Sequence, residues 1–157
     1  MGCENLYEIN LPNTITEWGY YLEDWDGIFN PGVFQNCKSL RSVDLSATSI
    51  SSLGDQCFSG CESLEEIKLP INSLTIISRN SFHGCSNLKN IKIPSSVKKI
   101  QQTAFGFSNS FGFELYLQYD GTLEDFNSIQ KGSNNISAWY ENITLIIEAS
   151  DGTTVFN

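Results

Sequence analysis

Five cysteines and a single histidine are the residues of this chain best suited to chemistry. Cys57, Cys61, His83 and Cys85 fall in one stretch, and thiolates with an imidazole could bind zinc or pair a nucleophile with its base. Their spacing matches no zinc pattern, and there is no second histidine to serve as base. A recurring decapeptide accounts for most of the thiols. CENLYEINLP stands at 3–12, CKSLRSVDLS at 37–46, CESLEEIKLP at 61–70 and CSNLKNIKIP at 85–94, so Cys3, Cys37, Cys61 and Cys85 share one place in a repeat. Small buried hydrophobes filling equivalent slots read the same way. Cys57 occupies a slot that Ser81 and Ala104 fill elsewhere. An odd thiol count leaves one over, and stacked equivalents on the turn side are expected to lie beyond the ~7 Å Cα limit for a disulfide.

Carboxylates are the next suspects. Glu65 with Glu66 and Asp24 with Asp26 could be imagined as acid pairs, but an acidic chain carries many solvated carboxylates. Asp24-Trp-Asp26-Gly27 starts like a calcium loop, yet the later ligands do not follow in register. No glycine-rich phosphate cradle is present. No catalytic residue, metal or cofactor is assigned, and the expectation is a protein that is not an enzyme.

The elements that would position these residues follow from the period. Cys37, Cys61 and Cys85 recur at steps of 24, as do Leu40, Leu64 and Leu88; Phe34, Phe58, Phe82 and Phe105 follow at 24, 24 and 23. Only the interval from Cys3 to Cys37 is longer, by ten. A period in the twenties marks a solenoid, whose turns bury their apolar faces on one another. Within each turn Ile9 and Leu11, Val43 and Leu45, Ile67 and Leu69, and Ile91 and Ile93 are two apart, which aims both to one side of a short strand. Repeats running the same way must pair these strands in parallel. Proline at 12, 70 and 94 ends the pairing. A second apolar pair then predicts a shorter extended segment: Ile15 with Trp18, Ile50 with Leu53, Leu74 with Ile77, Val97 with Ile100. A compact turn or one-turn helix follows around the core Phe, its exit glycine suited to positive φ.

Composition sets outer bounds. A chain of 157 residues, 40% hydrophobic and 17% charged, is globular in balance, and no apolar run reaches the length of a bilayer span. Net charge of −9 repels phosphate backbones, so nucleic acid is not an expected partner. Acids crowd residues 1–30, while Lys89, Lys92, Lys98 and Lys99 sit in a stretch without acids. The start lacks the layout of a secretory signal, and because it opens in mid-repeat the chain is expected to be a piece of something longer.

The pattern AF-x-x-C-x-x-L-x-x-I-x-L-P followed by S-V-x-x-I resembles the BspA-like leucine-rich repeats, with SFHGCSNLKNIKIPSSVKKI at 81–100 the nearest copy. The tail, LYLQYDGTLEDFNSI at 115–129 and ITLIIEASDGT at 143–153, is similar to endings of such arrays. The resemblance implies an α/β leucine-rich-repeat solenoid, right-handed, with parallel strands from about five turns of 23–24 residues, short helices or turns, and a non-repeating C-terminal cap. It also implies display on, or secretion from, anaerobic oral and gut bacteria, and relatives that bind host proteins such as fibronectin and fibrinogen. Two departures stand out: Ser46 replaces the proline, and Ser108 holds the Cys position of the fifth turn, with one extra residue before Leu115 and Leu117. The array is therefore divided as 1–118, repeats with an insertion at 17–34, and 119–157, a capping segment. In the latter, Thr122 and Asp125 should cap a helix from Leu123 to Ile129. Ile143, Leu145 and Ile147 should form a strand, turning at Asp151-Gly152 into 153–156.

Solenoids bind through surfaces. The outward row Asn10, Asp44, Lys68, Lys92 and the row Glu8, Ser42, Glu66, Asn90 offer a polar ladder without aromatics. The insertion offers Tyr20, Tyr21 and Trp25, able to anchor a protein or stack on a sugar. Tyr20, Tyr21, Trp25, Asp44, Lys68 and Lys92 are thus the candidate partner-binding residues. Two readings stand. One is a non-enzymatic adhesion module recognising host extracellular protein or glycan, at the cell surface or secreted as the resemblance implies and without membrane insertion. The other is a structural spacer with no ligand. Asn135-Ile-Ser137 and Asn142-Ile-Thr144 are glycan acceptor sequences, expected to be unused in a bacterium.

Overall fold

In the computed structural model the structure describes residues 3–17, 32–106, 113–131 and 143–156. In chain order the elements are β1 (Glu8–Asn10), β2 (Ser42–Asp44), β3 (Ser52–Leu53), β4 (Glu66–Lys68), β5 (Ile76–Ile77), β6 (Asn90–Ile93), β7 (Lys99–Ile100), β8 (Phe113–Tyr119), α1 (Leu123–Ser128), β9 (Gln130–Lys131), β10 (Ile143–Ala149) and β11 (Gly152–Phe156).

They build a parallel β-solenoid with little helix, consistent with a leucine-rich-repeat fold. Two-residue alternation forms the longer strand of each turn: Val43, Ile67 and Ile91 point inward and are buried, with polar residues either side turned out. β1, β2 and β4 pair in parallel in that order, Ile9 opposite Val43 and Val43 opposite Ile67. The ten-residue excess between the first two turns therefore leaves the strand register intact. β6, β8, β10 and β11 form a second sheet in the order β11-β10-β8-β6, parallel except for the antiparallel β10–β11 pair. The shorter segments β3, β5, β7 and β9 stack in parallel as a third sheet.

A further backbone ladder runs through the turns around the core phenylalanines. Phe34 N–H donates to Cys57 O at 2.9 Å, Phe58 N–H to Ser81 O at 2.9 Å and Phe82 N–H to Ala104 O at 2.8 Å. The turn side of the solenoid is thus hydrogen-bonded from turn to turn as well, which answers the demand that buried N–H and C=O groups be paired.

The core is a set of columns. Leu40, Leu64 and Leu88 are buried at equivalent places, as are Ile50, Leu74 and Val97, and Leu53, Ile77 and Ile100. Phe34, Phe58, Phe82 and Phe105 stack ring on ring, centroids 5.4, 5.7 and 5.5 Å apart and planes within 10°. Burial of each such side chain contributes about 1.5–3 kcal/mol. At the first turn Leu6, Ile9, Leu11 and Ile15 pack on this core but are only partly buried.

Of the two alternatives foreseen around the core Phe, these segments are turns; among the described residues the helix is α1. Gln56, Asn80 and Thr103, two residues before their Phe, have φ of 57°, 54° and 54°, and Gly60 and Gly84, two residues after, have 74° and 76°. Left-handed residues on both sides of the Phe leave no room for a helical run. Gly106 does not share that conformation: it aligns with His83, one place before the exit position.

The β8 register corrects the expectation that Leu115 and Leu117 repeat Ile91 and Ile93. Leu117 lies opposite Ile91 and Tyr119 opposite Ile93. Beyond β8, Thr122 accepts from Asp125 N–H and the Asp125 carboxylate accepts from Thr122 N–H, the reciprocal capping box read from the sequence. α1 runs to Ser128; Phe126 and Ile129 are buried and Leu123 is partly buried. The β10–β11 hairpin is held to the start of α1 by Leu123 N–H donating to Asp151 Oδ1 at 2.8 Å and Ser150 N–H donating to Gly121 O at 2.9 Å.

Candidate functional site

Strand pleating sets the outward face of the longer strands. Asp44 and Lys68 are directly opposite on β2 and β4, and Lys68 Nζ lies 3.5 Å from Asp44 Oδ2 and 3.7 Å from Glu66 Oε1. Lys92 on β6 reaches Asp120, beyond the end of β8, at 3.7 Å. Lys38 and Glu62, equivalent in the turns, close to 2.7 Å. These exposed pairs are worth little singly. Their effect is to neutralise the face locally, turn against turn.

Asp44 has a second task. Where other repeats place proline, Ser46 donates from its N–H and Oγ to Asp44 Oδ1, at 2.9 and 2.6 Å. The side chain thus shapes the corner that proline shapes elsewhere. Those bonds, chiefly the one from the Ser46 hydroxyl, hold the Asp44 carboxyl below the usual carboxylate range, with Lys68 adding to the effect.

The β6–β8 register brings Tyr116 opposite Asn90 and Gln118 opposite Lys92. The outward row therefore gains an aromatic residue, Tyr116, 40% exposed. Sequence reasoning missed it because the outward rows were followed only as far as Asn90 and Lys92. Of the candidate residues, Asp44, Lys68 and Lys92 share this sheet side on successive turns; Tyr20, Tyr21 and Trp25 lie outside the described residues, as do Asn135 and Asn142.

Cys37, Cys61 and Cys85 form a column of their own on the turn side, with Cys57 in the neighbouring slot before Phe58. Cys37, Cys57, Cys61 and Cys85 are buried, Cys3 is exposed, and none is in a disulfide. Cys61 Sγ donates to Phe34 O at 3.0 Å and Cys85 Sγ to Phe58 O at 3.2 Å. Burial pushes the Cys61 thiol up to about 12 and the Cys57 and Cys85 thiols far above their ordinary value. None of the three is a thiolate at neutral pH, so none is an activated nucleophile. His83 is half-buried, its ring beside Gly106. Among the described residues no group of three or more His, Cys, Asp or Glu is placed to hold a metal ion, and no helix is long and apolar enough to cross a membrane.

With columns, ladders and period in view, comparison with known proteins is direct. The BspA type leucine rich repeat region matches in six copies over residues 27–118. The chain belongs to the BspA-type leucine-rich-repeat family. A leucine-rich repeat protein from Bacteroides ovatus has a similar structure, with a TM-score of 0.51 and 24% identity over 73% of this chain. That likeness bears on the fold of the BspA-type repeats, and the chain spans 30% of that protein's length. Among curated proteins none matches.

Proposed function

We propose that this chain is a non-enzymatic recognition module of a surface-displayed or secreted protein, binding another protein or a glycan through the outward face of its longer strands. The observation that carries the reading is Tyr116, an exposed aromatic beside the polar row Asp44, Lys68, Lys92, Gln118 on the outward side of successive parallel strands. Aromatic anchors within a polar surround dominate protein interfaces and also stack on sugars. Tyr20, Tyr21 and Trp25 would extend the anchor set. The BspA-type family supports a repeat protein, and the resemblance to surface adhesins supports the location.

The architecture that goes with this reading is a right-handed array of about five turns over 1–118 closed by a cap over 119–157, with β8 spanning the junction. Membership of a longer protein belongs to the same reading.

A spacer with no ligand is the second reading. It is favoured by the pairing of outward charges with one another, Asp44 with Lys68 and Lys92 with Asp120, which leaves the face self-neutralised.

The test is binding of the chain to panels of immobilised extracellular-matrix proteins and glycans. Recognition predicts binding that falls at least tenfold in Tyr116→Ala or in the Tyr20→Ala, Tyr21→Ala, Trp25→Ala triple variant, with the circular-dichroism spectrum unchanged. Absence of binding by the unmutated chain across both panels favours the spacer.

A further inference from the structure

The cysteine column is uniform in its interior and different at its first step. Cys61 and Cys85 are shielded, and each thiol is committed to the carbonyl of the phenylalanine one turn earlier, Phe34 and Phe58. Cys37 makes a different contact: its sulfur accepts from the backbone N–H of Cys3 at 3.2 Å. Cys3 is itself exposed.

We infer that Cys3 and Cys37 are a disulfide-forming pair, a modification site that takes a small disulfide-class oxidant such as oxidised glutathione and staples the first turn to the second. The reach is short. Adding an N–Cα bond of about 1.46 Å to the Cys3 N to Cys37 Sγ distance of 3.2 Å places the Cys3 Cα within about 4.7 Å of that sulfur. The Cys3 Sγ is then brought to it by rotation about Cα–Cβ. Cys3 and Cys37 lie five residues before Glu8 and Ser42, the first paired residues of β1 and β2, and the usual ~4.8 Å spacing of such parallel strands is inside the 4.4–6.8 Å Cα range of disulfides. The proposal thus sets this pair apart from the expectation that stacked equivalents lie too far apart. The electrostatics agree: burial first pushes the Cys37 thiol up, the Cys3 N–H opposes it, and contact with the Cys3 thiol adds to the rise.

Exposure assigns the order of steps. The Cys3 thiolate attacks one sulfur of oxidised glutathione; the glutathione S–S bond breaks, a mixed disulfide forms on Cys3, and one glutathione thiolate leaves and takes up a proton. Cys37 then loses its proton and attacks the Cys3 sulfur. The mixed disulfide breaks, the Cys3–Cys37 bond forms, and the second glutathione leaves as a thiol. Two protein thiols are oxidised and one glutathione disulfide is reduced to two thiols. Because burial pushes the Cys37 thiol up, the second step should accelerate with rising pH.

The experiment uses the whole chain, fully reduced, then exposed to oxidised glutathione, acid-quenched and alkylated in denaturant before peptide mass spectrometry. The expected result is a linked peptide pair containing Cys3 and Cys37, the other three of the five cysteines recovered alkylated, and reversal by dithiothreitol. The thermal midpoint of the oxidised chain should rise by at least ~4 °C. Cys3→Ser, at an exposed position, should fold normally and lose both the linkage and the oxidant-dependent rise. Recovery of Cys3 as a stable glutathione mixed disulfide with Cys37 alkylated, linkage of Cys3 to another cysteine, or persistence of the rise in Cys3→Ser would overturn the assignment. None of these readouts depends on the ligand-binding reading above.

Discussion

The thiol of Cys85 donates to the backbone carbonyl oxygen of Phe58, 3.2 Å away and one turn earlier. This contact does the work of a polar rung inside an apolar column, and it explains why cysteine fits a place that a larger aliphatic residue would overfill. Cys85→Ala should cost about 1–2 kcal/mol in chemical denaturation, combining the lost bond with a small void. Under reducing conditions, iodoacetamide should label Cys3 rapidly in the folded chain and Cys57, Cys61 and Cys85 only on unfolding. Rapid labelling of Cys85 in the native state would contradict its burial.

Phe82 is stacked on both sides, by Phe58 and Phe105. Phe82→Ala should therefore destabilise by about 3–5 kcal/mol. Because each turn leans on its neighbours, hydrogen exchange should speed up at Phe58 and Phe105 as well as locally. Protection lost only within the mutated turn would argue against a shared core.

Gly60 and Gly84 occupy the same left-handed position, yet their surroundings differ. A Cβ on Gly84 would meet the Gly60 backbone at an ordinary 3.6 Å, whereas one on Gly60 would fall 2.4 Å from the Asn36 side-chain oxygen. Gly84→Ala should cost roughly 1–2 kcal/mol from backbone conformation alone. Gly60→Ala should cost more, since Asn36 must also move. Equal melting temperatures for the two variants would contradict this ordering.

Asp44 and Asp125 are both held below the usual carboxylate range, Asp44 chiefly by the Ser46 hydroxyl and Asp125 chiefly by the Thr122 hydroxyl. A lowered folded pKa contributes stability that is present above the ordinary value near 3.8 and is lost as pH falls through the lowered one. Thermal midpoints should drop as pH is taken from about 5 towards 2.5. Asp44→Asn should flatten part of that fall, and Ser46→Pro should make the corner less dependent on Asp44. A midpoint profile for Asp44→Asn parallel to that of the unmutated chain would remove Asp44 from this account.

How much could be read beforehand differs from element to element, for physical reasons. The columns were legible because each of Leu40, Leu64 and Leu88 sees the same surroundings one turn on, so identity repeats with position. The capping box at Thr122 was legible because both partners lie within one turn of chain. The β8 register was not. Leu115, Leu117 and Tyr119 alternate at one spacing and all point inward, so any two of them satisfy the pattern. What selects the last two is tertiary: Tyr119 packs edge-on to Phe126, centroids 5.4 Å apart at 70°. That choice places Tyr116 opposite Asn90 rather than opposite Lys92; it faces outward in either register. The role of Asp44 was equally hidden, since a missing proline marks a departure without showing what replaces it. On the outward face, period alone places Asp44, Lys68 and Lys92 together but says nothing about their mutual neutralisation.

The ladder of turn-to-turn bonds from Phe34 to Phe82 has a geometric outcome. A horseshoe bends because one flank of every coil is taller than the other, as when helices stand behind a sheet. Here the flank behind the strands is built of turns among the described coils: amide bonds of 2.8–2.9 Å around the phenylalanines tie coil to coil there, and strand pairing ties them opposite. Prising one coil from the next therefore breaks bonds on two flanks at once.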